Sequence, residues 1–119
     1  MAKVSAHGTA LFTYFSVRRR GLVRYMSDGT ILRRTPWQSG WRVYGKTTPE
    51  RIAKIVAEKE AWIAGRPAWL RDIRSLPPFR TLVAWEADGI CETPTGHRVE
   101  SDGTGPDGCP SWLRLLSFI

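Results

Sequence analysis

The segment 48–65 constrains this chain more than any other, because it carries the start, the buried face and the stop of one helix. Thr48 is an N-cap residue, able to accept a hydrogen bond from a first-turn amide. Pro49 suits the first helical position and Glu50 complements the positive end of the helix. Ile52, Ile55, Val56, Trp62 and Ile63 recur at helical spacing, while Arg51, Lys54, Glu58 and Glu60 lie mostly away from them. Gly65 is a C-cap and Pro67 stops propagation. The sequence thus predicts a helix over 49–64 whose Ile/Trp stripe packs on a sheet rather than forming a binding surface.

The sheet is written in the residues before it. Segment 9–17 is aromatic and β-branched (Phe12, Thr13, Tyr14, Phe15, Val17) and reads as a strand, followed by a turn at Arg18, Arg19, Arg20 and Gly21. Segment 22–27 alternates as a second strand. Asp28-Gly29 is a hairpin signal of the type I′ kind. Segment 31–34 returns, Pro36 ends it or confines it to an edge, and 41–44 is a fourth short strand. Beyond the helix, 69–76 reads as a short second helix ended by Pro77-Pro78, and 79–86 as a fifth strand. Four turn signals then crowd into 88–108, and Pro110-Ser111-Trp112-Leu113 opens an apolar end expected to dock on the core or on a partner. The architecture expected is α+β: an antiparallel sheet of four or five strands, one main helix packed on it, and an irregular C-terminal lobe. The 119 residues fit a single domain over 1–119.

Charge divides the same chain in two. Residues 1–80, the basic body, hold 16 Lys+Arg against 5 Asp+Glu, whereas 81–119, the acidic turn-rich lobe, hold 2 against 6; the formal net charge is +7. Most of the cations are arginine, whose planar fork suits phosphate and stacking contacts. A basic body of this kind points to a polyanionic partner, nucleic acid or a nucleoprotein complex. The ordinary alternative is a solvated basic surface. The opening residues show no secretory pattern, 10–17 is too short and polar to span a membrane, and two cysteines make no disulfide framework, so a cytoplasmic location without membrane association is expected.

Arginines interleaved with aromatic residues are the first candidate site. Arg18, Arg19, Arg20 and Arg24 lie near Tyr14, Phe15 and Tyr25; Arg33, Arg34 and Arg42 lie near Trp37, Trp41 and Tyr44. Guanidiniums supply phosphate contacts and exposed rings supply stacking platforms for unpaired bases. Strict alternation instead predicts aromatics on a core face and arginines on an outer one. The second candidate is structural zinc at Cys91, His97 and Cys109, since thiolate and imidazole are its usual ligands. A closed site wants a fourth ligand, for which Asp102 or Asp107 is an oxygen candidate. The plainer readings are a free buried thiol pair or a Cys91–Cys109 disulfide, which a cytoplasmic setting disfavours. Enzyme signatures are weak. Glu58 and Glu60 do not face one another on a helix. Glu86, Asp88 and Glu92 suit solvated turns better than a nuclease metal site.

The stretch 88–119 resembles the C-terminal ends of small uncharacterised phage and prophage proteins, through Cys91-Glu92-Thr93, Gly96, Val99-Glu100-Ser101-Asp102-Gly103 and Pro110-Ser111-Trp112-Leu113. Those ends carry four Cys/His positions and finish in a PSWL-type segment. The resemblance implies ligand positions at Cys91, His97 and Cys109, with Gly105 standing where a further cysteine is expected. It implies a phage or mobile-element origin rather than an activity. Two function classes follow. One is a small nucleic-acid-binding accessory protein. The other is a protein-binding inhibitor or adaptor, anti-CRISPR-like or acting on a host protein in host takeover, with the apolar C-terminus as its docking segment. A small metal-dependent nuclease is the remote third.

Overall fold

In a computed structural model of the chain, described for residues 6–119, four strands form one antiparallel sheet in chain order. They are β1 (Ala10–Ser16), β2 (Gly21–Met26), β3 (Thr30–Arg34) and β4 (Arg42–Lys46). Helix α1 (Pro49–Ala64) occupies the expected segment, with the Thr48 hydroxyl accepting from the Arg51 amide at 3.2 Å. The chain is therefore α+β, as its patterning requires. The reading of the opening residues lies partly outside the described range. Among the described residues no helix is long and apolar enough to cross a membrane.

Three local expectations are corrected. Segment 79–86 is helix rather than strand: α3 runs Phe79–Asp88. A short apolar run reads either way, and its flanks decide. Pro78 immediately precedes the helix, and Gly89 closes it at φ 72°, donating to the Trp85 carbonyl. Leu82 and Trp85, three apart, then face the core. The short second helix is one turn only, α2 (Ala68–Arg71). The β2–β3 connection is a three-residue loop closed by the Gly29 N–H to the Met26 carbonyl, 3.0 Å. Only Gly29 in that loop has positive φ, so the turn is not type I′.

The C-terminal lobe is mostly turns, as expected, with three short elements set among them. β5 (Ile90–Glu92) pairs with β6 (Arg98–Glu100), and the one-turn α4 (Trp112–Leu115) follows. Trp112, Leu113, Leu115 and Leu116 are buried in the chain's own core. The apolar C-terminal segment is thus a core element and not a free docking segment.

Both faces of the sheet are covered. The pleat sends Tyr14 and Phe15 to opposite sides. Tyr14, Val23 and Tyr25 pack with Ile52 and Val56 of α1. Phe15 and Leu22 pack with Leu70, Leu82, Cys91 and the α4 leucines. Each fully buried residue of this size contributes about 1.5–3 kcal/mol. Two cores sharing one sheet explain how this arginine-rich chain buries enough apolar surface.

Candidate functional site

The fold distributes the ten arginine and aromatic candidates over two faces instead of gathering them on one: alternation sorts those on strands, while Arg18, Arg19, Arg20 and Trp37 lie in turns. Arg24 lies on the lobe side, its guanidinium carbon 4.1 Å from the Trp41 ring centre and its Nε donating to Thr13 Oγ1 at 2.9 Å. Burial, with Arg34 nearby, pushes it below its ordinary pKa. This stack covers the edge of the lobe core, because Trp41 packs there. Trp37 is exposed and, with Arg20, lines a shallow hollow against Leu116 and Phe118. Arg34 lines a separate small pocket. Arg42 is exposed and lies directly opposite Arg33 across β3–β4.

Arg18, Arg19 and Tyr44 line a cleft of about 700 Å³ on the other side, between the sheet and α1, and Arg33 lies over the Tyr44 ring beside it. Its floor is Tyr14 and Tyr25, stacked at 6.0 Å with their hydroxyls 3.5 Å apart. Burial first, then the Tyr14 contact, pushes the Tyr25 phenol above its ordinary pKa. Either hydroxyl of the pair can donate to the other. Its walls are Tyr44 and Trp62, both exposed. Tyr44 owes its place to a β-bulge: Ile31 pairs with Gly45 and Leu32 with Val43, leaving Tyr44 unopposed. Bulges re-aim a side chain in this way.

Cations cap these rings. Arg19 lies 4.8 Å and Arg33 5.4 Å from the Tyr44 ring centre. Arg66 lies 4.7 Å from that of Trp62, and Lys59 lies 5.5 Å from both Trp62 and Tyr14. Such contacts are worth about 0.5–1 kcal/mol each at exposed sites. No acidic side chain is among the described residues lining the cleft. Among the described residues no lysine or arginine is ion-paired with a carboxylate; the recorded ion pairs both involve histidine.

Two cleft residues were missed by sequence reasoning. Trp62 was assigned to the stripe packed on the sheet, but it is 47% exposed and stands at the stripe's edge. Lys59 carried a usable signal. It falls seven residues after Ile52, on the apolar stripe, where a charge needs water or a partner.

The zinc reading is corrected. Cys91 is fully buried among Leu82, Trp112 and Leu113, its thiol donating to the Glu92 carbonyl. Cys109 is also buried, at the end of the 105–109 turn rather than in β5, and burial pushes its thiol pKa up. His97 is exposed, with Nδ1 3.1 Å from Thr95 Oγ1. Among the described residues no three or more His, Cys, Asp or Glu side chains stand so as to hold a metal ion. The residues present do not fit a closed zinc site. That finding also removes Glu86, Asp88 and Glu92 as a nuclease metal cluster.

Hydrogen bonds hold the lobe tip where a metal was expected. Two turns of matching form face each other. Thr93 N–H donates to the His97 carbonyl at 2.9 Å, and Gly105 N–H to the Cys109 carbonyl at 2.8 Å. Gly96 and Gly108 take positive φ at equivalent places. Thr95 Oγ1 donates to Asp107 Oδ2 at 2.7 Å and ties the turns together. A side chain at Gly105 would meet Thr93, His97 and Asp107, so this small residue lets the turns close on each other.

No protein-family model, curated protein or solved structure matches this chain.

Proposed function

We propose that this chain is a small nucleic-acid-binding accessory protein of a phage or mobile element, and that it holds an unpaired stretch of nucleic acid in the cleft between the sheet and α1. The observation that carries this reading is the pairing of exposed rings with uncompensated cations: Tyr44 under Arg19 and Arg33, Trp62 under Lys59 and Arg66. A ring capped by a cation that no carboxylate neutralises suits a ligand with a flat base and a phosphate. The base takes the ring face and the phosphate takes the cation. The cleft's volume of about 700 Å³ is in the range of small-ligand sites. Duplex DNA hides its base faces, so single strands are the favoured substrate class.

A protein-binding inhibitor or adaptor, anti-CRISPR-like or otherwise, draws on the same tryptophan and arginine composition. Its candidate docking segment is buried in the core, which leaves the cleft as the stronger basis.

The test is fluorescence anisotropy with labelled single-stranded DNA, RNA and duplex DNA across a salt series. Single strands are expected to bind tighter than duplex. Affinity is expected to fall with salt at a slope of about 0.7 per phosphate neutralised. No binding to any of the three at low salt overturns the reading.

A further inference from the structure

A second pocket lies on the lobe side of the sheet, where β3 ends against the Pro77-Pro78 turn. It encloses about 280 Å³ and is lined by Arg34, Thr35, Gln38 and Arg74, with no acidic residue among its described lining. Thr35 is 1% exposed, and its hydroxyl has no hydrogen-bond partner. The Gln38 side-chain oxygen is likewise buried without a partner. Buried polar atoms are nearly always paired, so two orphaned atoms on residues that line one pocket beside two arginines need an explanation. The backbone holds them there. A side chain at Gly21 would stand 2.2 Å from the Arg34 carbonyl oxygen, so β2 is packed flush against the Arg34-Thr35 backbone. Arg74 is also held in place, its guanidinium donating to the Arg71 and Ile73 carbonyls.

We propose that this pocket binds a single phosphate-type oxyanion. The Thr35 hydroxyl, turned into the pocket about χ1, donates to it, and the Gln38 amide, turned by half a rotation about its terminal bond, presents its NH₂ in place of the orphaned oxygen. Arg34 and Arg74 supply the counter-charge. An oxyanion, unlike water, uses donors and positive charge together, and it answers both orphans at once. The proposal is independent of the cleft, because inorganic phosphate alone satisfies the pocket.

The test follows the Gln38 side-chain NH₂ and the Thr35 amide in ¹H–¹⁵N spectra of the full chain. Sodium phosphate and a short oligonucleotide are titrated in separate arms, with sodium chloride as the ionic-strength control. Saturable shifts with either ligand, beyond those with chloride, support the pocket, and the arm that responds identifies the source of the phosphate. Thr35→Val is expected to weaken that binding about tenfold, the ordinary cost of a lost hydrogen bond to a charged group. It leaves the ligand-free fold at least as stable, because it replaces an orphaned hydroxyl with a methyl. Thr35→Ser is expected to retain binding. Shifts no larger than those with chloride in both arms, or shifts undiminished in Thr35→Val, overturn the proposal. These readouts sit away from the cleft, so failure here and failure of single-strand binding are told apart.

Discussion

Arg33 and Arg42 face each other directly across the β3–β4 pair, two guanidinium side chains at a position where opposite charges stabilise and like charges do not. Sequence alternation alone does not produce this pairing; the bulge at Tyr44 does, by shifting β4 one residue along. Arg42→Gln is therefore expected to stabilise the fold by about 0.2–1 kcal/mol. The same change lowers affinity for single strands and flattens the salt slope. Urea denaturation and the anisotropy salt series read the two effects separately. A loss of stability contradicts the repulsion.

Trp62 tests the wall of the cleft. It is half-exposed, with Lys59 and Arg66 against its ring. Trp62→Ala is expected to change stability by no more than about 0.5 kcal/mol, as surface substitutions do. Binding of a single strand is expected to weaken by about 1–3 kcal/mol, the range for one stacked base. Unchanged affinity places the bases elsewhere.

Arg20 stands at φ 58° in the β1–β2 turn, a conformation that glycine takes freely and arginine does not. Arg20→Gly is expected to raise stability by about 0.5–1 kcal/mol through relief of that strain. If the arginine is retained there for its charge, polyanion binding falls in the same variant. Denaturant melts with paired anisotropy titrations measure both.

The lobe tip has a pH signature. The Thr95 hydroxyl, with smaller help from the Cys109 amide and from His97, holds the Asp107 carboxyl below its ordinary pKa. A depressed folded-state pKa adds stability that is present above the unfolded value of about 3.9 and is lost as pH falls through the folded one. Asp107→Asn is expected to be less stable than the wild type at neutral pH. The gap closes as the solution is acidified. A gap that persists in acid, measured by urea melts at several pH values, rules this account out.

Much of the fold was legible in local chemistry. Thr48, Pro49 and Gly65 bound α1 where the structure has it, and the four short strands lie where alternation and turn residues place them. These signals work because caps, turns and periodicity act between near neighbours. Segment 79–86 was misread because a short apolar run satisfies both periods, and its helical state rests on Pro78 and Gly89 together with a place in the lobe core.

The candidate site was legible only in its ingredients. Its arginines and aromatics are plain in the sequence, but which of them meet depends on the side of the pleat each one takes. Arg19 and Tyr44 join Lys59 and Trp62 at the cleft, while Arg24 and Trp41 are committed to the opposite face. By itself the sequence determined the elements, the basic balance and the α+β class, since those follow from short-range chemistry and composition. Only the tertiary structure decided that both sheet faces are covered, that both cysteines are buried as free thiols, and that the cations gather beside α1. Those outcomes depend on strand register, one bulge and the docking of a distant C-terminal segment, none of which any local stretch of residues encodes.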